Sequence, residues 1–321
     1  MDIPEMTPSP MRDLGFGIRC IDTLQVRPQM AACYLIERGN DLAFVEAGTS
    51  LGVPHLMALL EQLGLARDRV RYVIPTHVHL DHAGGAGALM RELPNAKLVV
   101  HPRGARHMVD PTQLIAGATA VYGAEAMARM YGEILPVDES RVIAPADGES
   151  LPFGDAALQF IDTPGHARHH FSVWDAQSRG FFTGDTFGLS YREFDSPAGA
   201  FVMPTTTPVQ FEPDAWRQTL DRYLSFAPQR MFLTHYSVVE DVTRLANDLR
   251  AGLARYELIA TELAHSQDRH ERLLRALTED VLTAVHAHGS ALGDAEIRAV
   301  LDADLELNAQ GLGVWLDRRA R

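Results

Sequence analysis

The sequence predicts an α/β fold with a helical C-terminal subdomain, and three observations predict it. Short β-rich runs alternate with helical stretches through the first two thirds of the chain. Side chains able to bind metal recur just after those runs, on loops, where an α/β sandwich collects its active-site groups. Beyond residue 240 only amphipathic helical periodicity remains.

Taken in order, residues 1–13 hold Pro4, Pro8 and Pro10 among small polar groups, with little to bury, so a flexible tail is expected. Ala31–Glu37 and Leu42–Glu46 are β-rich and flank a turn-forming stretch at Gly39, Asn40 and Asp41, which is a hairpin signal. Pro54–Leu63 sets Leu56, Leu59, Leu60 and Leu63 at helical spacing. Arg71–Pro75 reads as a short buried strand, and a histidine-rich segment follows it at once. A helix is expected from Gly85 to Leu93, then a strand at Lys97–His101. The stretch 104–132 is mostly helical, and its Met108, Met127, Met130 and Tyr131 read as core packing, methionine being a common gap-filler.

Short strands return at Arg141–Ala144, Ala157–Asp162, Phe171–Asp175 and Gly180–Thr183. A Pro/Thr-rich loop, Ser196–Pro208, precedes a helix at Pro213–Phe226 and a strand at Met231–Leu233. Three apolar stripes then follow, starting at Val242, Leu273 and Ile297 and separated by Gly289 and Gly293. They predict a helical subdomain that caps the preceding domain or builds a homodimer interface.

Composition narrows the function. The 321 residues carry a formal charge of −13, which speaks against a nucleic-acid partner, because phosphate backbones need clustered Lys and Arg. Only Cys20 and Cys33 are present, so no disulfide framework is legible and a cytoplasmic setting is expected, with a single bridge between the two left open. The N-terminus has neither a basic n-region nor an apolar h-region, and no run of 18 apolar residues exists, so neither signal peptide nor membrane span is expected.

The chemistry sits in T-H-V-H-L-D-H, which packs His77, His79, Asp81 and His82 into six residues. His77 and His79 stand at i and i+2 beyond a strand, a spacing that puts both side chains on one side of extended chain. Asp81 and His82 fall where the chain turns, helped by Gly84 and Gly85. His166 follows in T-P-G-H, Asp185 in T-G-D-T and His235 in L-T-H-Y, each after a strand. Imidazole and carboxylate donors without cysteine argue against a closed structural zinc site. Seven donors suffice for two ions with a position left open for water.

At this point the sequence resembles the metallo-β-lactamase superfamily of metallohydrolases, over roughly Gly17 to Val239, on T-H-x-H-x-D-H followed by spaced His, Asp and His. The resemblance implies a four-layer αββα sandwich, with 1–13 as the tail, 14–240 as the catalytic domain and 241–321 as the helical subdomain. It implies that His77, His79 and His166 bind one metal, that Asp81, His82 and His235 bind the second, and that Asp185 bridges both. Glu46 stands where many members carry an Asp that orients the site from behind. His170 is read as packed beneath the site rather than as a ligand.

The implied reaction is hydrolysis of a small-molecule ester, thioester or lactone by a metal-bridging hydroxide, of the kind run by hydroxyacylglutathione hydrolases and lactonases. Zinc is the expected metal, with iron or manganese open, since His/Asp donors suit all three. Asp185 and Asp81 are the candidate catalytic carboxylates, and Tyr191 is a candidate donor to substrate, with Arg192 beside it. The alternative is an iron-containing redox protein on the same fold, a dioxygenase or a diiron oxygen-binding protein. His79 stands where the oxygen-reducing diiron branch places Glu, which favours hydrolysis. A nuclease is the third reading, opposed by the charge. The expected partner is a small-molecule substrate, with no nucleic acid and no membrane.

Overall fold

The computed structural model describes residues 10–206 and 208–320. Of the tail expected over 1–13, residues 1–9 lie outside the described chain, as does Thr207; Met11–Asp13 forms a short strand, β1, antiparallel to β2 (Ile18–Asp22). The chain divides into two compact units. One comprises the described residues up to Asp162, with His169–Gly184 and Thr234–Val238. The other comprises Thr163–Arg168, Asp185–Leu233 and the residues from Val239 onward.

In the first unit the expected hairpin is present as β3 (Ala32–Arg38) and β4 (Asp41–Val45), closed at Arg38 opposite Asp41. β4 then pairs in parallel with β5 (Val70–Ile74), β5 with β6 (Lys97–Val99), and β6 with β7 (Val142–Ile143), giving a seven-stranded sheet in sequential order. Parallel neighbours need crossovers, and the helices supply them: α1 (Val53–Gln62) between β4 and β5, then α2 (Leu80–Ala83) and α3 (Ala86–Glu92) before β6. Leu56, Leu60 and Leu89 from these helices share one core with Phe44, Val73 and Leu98 of the strands. Each such side chain contributes about 1.5–3 kcal/mol on full burial.

Cys20 pairs across the ladder with Tyr34 and Cys33 with Ile21, so the two thiols point to opposite faces of the sheet. Both are buried and free, and a bridge between them is excluded by those directions. The helical stretch resolves into α4 (Ala105–Val109), α5 (Thr112–Tyr122) and α6 (Ala124–Tyr131). Met108 and Met127 are buried as core, and Met127 and Tyr131 join Leu80 of α2 in a small apolar cluster.

A six-stranded sheet has the order β13-β12-β11-β10-β9-β8, formed by β8 (Ser150–Phe153), β9 (Ala156–Asp162), β10 (Phe171–Asp175), β11 (Gly180–Gly184), β12 (Arg230–Leu233) and β13 (Ser237–Val239). β8 through β11 run as an antiparallel meander. β8 contains Pro152, which cannot donate to a ladder and disguises the run as a loop; the strand is tolerated because it lies at the sheet edge.

The second unit is built on helices: α7 (Pro213–Ser225), α8 (Val242–Leu263), α9 (Arg269–Ala287) and α10 (Asp294–Arg319). The three predicted stripes are the buried faces of α8, α9 and α10, which pack on one another. Among the described residues, no helix is long and apolar enough to cross a membrane.

Candidate metal centre

β5 ends at Ile74, and the chain behind it delivers the histidine cluster. His77 is fully buried; its Nδ1 lies 3.1 Å from the Thr76 hydroxyl and its Nε2 lies 2.7 Å from His79 Nδ1. The His170 ring stacks beneath His77 at 4.9 Å, buried and beside Gly184 at the end of β11. A Cβ on Gly184 would stand 2.3 Å from the Thr76 hydroxyl and 2.5 Å from His170 Nε2, and its φ is +48°, so only glycine lets this strand end reach the floor of the cluster. α2 begins directly after His79 and carries Asp81 and His82 on its single turn.

Glu46 ties these pieces together. It is fully buried with φ of +68°, a costly backbone for a non-glycine residue, and that turn drives its carboxylate inward. Oε2 accepts from Thr76 N at 3.1 Å, while Oε1 accepts from the hydroxyls of Thr76 (2.6 Å) and Thr234 (3.0 Å). His82 Nδ1 lies 3.0 Å from the same Oε1, which directs His82 Nε2 to the other side, towards Asp81. Thr234 precedes His235, whose Nδ1 donates to the Met30 carbonyl at 2.8 Å and leaves Nε2 facing Asp81. One carboxylate thus fixes the residues on which three candidate ligands depend, in the role that backing groups play behind metal-bound imidazoles.

The nitrogen–carboxylate separations indicate what this cluster is built for. Asp81 Oδ2 is 3.4 Å from His82 Nε2 and 3.3 Å from His235 Nε2. Charge-assisted hydrogen bonds close to about 2.7–2.9 Å. The edge of a tetrahedron with metal–ligand bonds of about 2.0–2.1 Å is roughly 3.3 Å. The donors therefore stand at ligand spacing, and the imidazole and carboxylate set fits zinc, iron or manganese. Burial alone would raise the Asp81 carboxyl, but the neighbouring His82 and His235 hold it well below the usual carboxylate range, in its ligating form.

The second unit holds His166 and Asp185. His166 Nε2 is 3.3 Å from Asp185 Oδ2, the same spacing again. The T-P-G-H turn is clamped by α7: Thr219 donates its hydroxyl proton to the Pro164 carbonyl and Glu212 N donates to the Gly165 carbonyl. A Cβ on Gly165, at φ +136°, would meet Trp216 atoms at 2.5 and 2.6 Å. Trp216 is fully buried with its ring edge-on to His166 and its Nε1 donating to the carbonyl of Thr186, next to Asp185. His166 Nδ1 donates to the Thr205 carbonyl at 3.0 Å, which frees Nε2 for a metal.

Within the first unit, ligand atoms of Asp81, His82 and His235 lie within 4.8 Å of one another. Other expected residues go elsewhere. Tyr191 is buried, and its hydroxyl donates to Asp304 of α10 at 3.2 Å. Arg192 hydrogen-bonds the Ser190 carbonyl and pairs with Asp195. His101 pairs with Asp162 at 3.0 Å; His270 and His286 are exposed on α9, and His265 is exposed in the turn after α8. Sequence reasoning passed over Thr76, Thr234, Trp216 and Asn308. Thr76 and Thr234 each directly precede a candidate ligand, a signal that was available.

The sequence model of the metallo-beta-lactamase superfamily matches residues 26–235. A metallo-beta-lactamase fold-containing protein of Sulfurisphaera tokodaii is 26% identical over 216 residues, 66% of this chain and 75% of that one. A hydroxyacylglutathione hydrolase of Methylococcus capsulatus is 29% identical over 128 residues, which span 40% of this chain and 38% of the relative. The crystal structure of a metallo-beta-lactamase family protein from Thermus thermophilus shares the fold at a TM-score of 0.68 and 18% identity, covering 95% of this chain and 94% of that one.

Proposed function

From the premise that the chain belongs to the metallo-beta-lactamase superfamily, we propose that it is a dinuclear metal-dependent hydrolase of a small-molecule ester, thioester or lactone. On the family resemblance, His77, His79 and His166 would hold one ion, Asp81, His82 and His235 the other, and Asp185 would serve both. The observation that carries the proposal is the donor set, with nitrogen–carboxylate separations of 3.3–3.4 Å around Asp81 and Asp185. Bound divalent ions supply Lewis acidity and bring the pKa of a water down towards neutrality.

The chain's own groups do the rest. The carbonyls of Met30 and Thr205 keep the Nδ1 protons of His235 and His166 turned away, so that each Nε2 lone pair is presented, and Glu46 stands 3.0 Å behind His82 Nδ1. Asp81 stays ionised and able to ligate. Tyr191 takes no part in this scheme, its hydroxyl being committed to Asp304. The imidazole at His79, rather than a carboxylate, favours hydrolysis over oxygen chemistry. The part-length likeness to a hydroxyacylglutathione hydrolase supports the ester and thioester classes. Two buried free thiols suit a reducing cytoplasm.

The test is metal analysis of the purified protein followed by a panel of esters, thioesters and lactones. Two equivalents of zinc or manganese and hydrolysis lost in Asp185→Asn are expected. Stoichiometric iron with oxygen consumption and no hydrolysis would overturn the proposal in favour of a redox protein.

A further inference from the structure

α10 buries one amide in an otherwise apolar face: Asn308, fully buried on the stripe that carries Leu301, Leu305 and Leu312. A buried amide without partners costs about 1–3 kcal/mol, so its hydrogen bonds indicate what it is for. Asn308 Oδ1 accepts from Thr206 N at 2.6 Å, and its backbone carbonyl accepts from the Thr206 hydroxyl at 2.9 Å. α10 comes close enough here that a Cβ on Gly311 would stand 2.7 Å from the Thr206 hydroxyl oxygen.

Thr206 N and the Thr205 carbonyl belong to one peptide group, which is planar and rigid. His166 Nδ1 donates to that same Thr205 carbonyl at 3.0 Å. A continuous chain therefore runs from the Asn308 amide through the Thr205–Thr206 peptide to the His166 imidazole. Hydrogen bonds at the two ends of one peptide polarise it in the same sense, so each strengthens the other.

We propose that Asn308 is a positioning residue for His166: by holding the Thr205–Thr206 peptide, α10 sets the tautomer and ring orientation of a ligand 142 positions earlier in the sequence. This rests on the reading of His166 as a metal ligand. It makes the C-terminal helix a working part of the His166 site, and leaves the set of Asp81, His82 and His235 independent of it. Groups that hold the outer nitrogen of a ligating imidazole change metal affinity by roughly 10–100-fold.

The experiment compares Asn308→Leu, which removes the acceptor at similar volume, with Asn308→Asp, which keeps an oxygen for Thr206 N. The first readout needs no metal: exchange of the His166 Nδ1 proton and its tautomer, followed by 15N NMR in the apo chain. The second is competitive zinc titration that resolves the two sites. N308L is expected to speed exchange about tenfold and weaken one site about tenfold, leaving the other unchanged, with N308D within about threefold of the parent. Unchanged exchange and affinity in N308L would overturn the assignment. So would equal weakening of both sites in step with lost stability, the outcome of a purely structural role. Should N308L fail to fold, Asn308→Ser shortens the side chain beyond reach of Thr206 and carries the same expectations. A parent chain that binds no divalent ion would sink the ligand reading, yet the apo exchange result would still judge the Asn308 link.

Discussion

Glu46→Gln is the substitution on which the second-site geometry is most exposed. The Glu46 carboxylate accepts from three donors, Thr76 N and the hydroxyls of Thr76 and Thr234, and His82 Nδ1 lies 3.0 Å from its Oε1. A glutamine fills the same volume but offers one acceptor oxygen. Its best orientation keeps that oxygen at the Oε1 position, serving both hydroxyls and His82, and turns its amide protons towards Thr76 N–H. One buried backbone donor is then unpaired, at about 1–3 kcal/mol. The expected loss of stability is therefore about 1–3 kcal/mol, a large share of the roughly 5–15 kcal/mol available to a folded domain. Because His82 then holds its tautomer less firmly, affinity at the site of Asp81, His82 and His235 should fall by about 10–100-fold. Urea unfolding of the apo chain reads the first quantity, and zinc titration against a chromophoric chelator reads the second. An E46Q chain with the parent's unfolding midpoint and two unweakened ions would refute this reasoning.

Three further outcomes follow from the same geometry. Gly165→Ala forces a Cβ into Trp216 at 2.5 Å and a left-handed backbone onto alanine, so it should cost more than about 3 kcal/mol and lower the melting temperature far more than Gly117→Ala, where a Cβ meets nothing within 4 Å. Burial raises the thiol of Cys33 well above its ordinary value of 9.0; its stabilisation is therefore complete below that value and is lost as pH rises above it, by up to about 1.4 kcal/mol per pH unit. Unfolding midpoints between pH 8 and 10.5 should fall less steeply in Cys33→Ala than in the parent, and parallel curves would contradict this. Stripping metal with a chelator should abolish hydrolysis, and zinc at about a hundredfold its dissociation constant should restore about 2.7 kcal/mol of stability per independent site, visible as a rise in melting temperature.

What the sequence made legible is what repeats. β-rich runs around a turn marked the hairpin at Ala32–Val45, and helical spacing marked α1, α3 and the three C-terminal helices to within a few residues. The ligands were legible because T-H-V-H-L-D-H concentrates chemistry that folding alone does not require. The strands β1, β8 and β13 were not, since each is short, and β8 also carries a proline at a sheet edge. The supporting residues were harder for a different reason. Glu46 stood out only through the family resemblance, and Trp216 and Asn308 not at all, because they act through partners distant in sequence: Glu46 reaches Thr234 across 188 positions and Asn308 reaches Thr206 across 102. No local spacing encodes such pairings, and each residue type alone is ordinary. Asn308 does break its helix's apolar pattern, and a polar amide at a core position of an amphipathic stripe is a local inconsistency that calls for a compensating partner. That inconsistency was available from the spacing of Leu301, Leu305 and Leu312, and it pointed to the one residue of α10 whose amide reaches the peptide that holds His166.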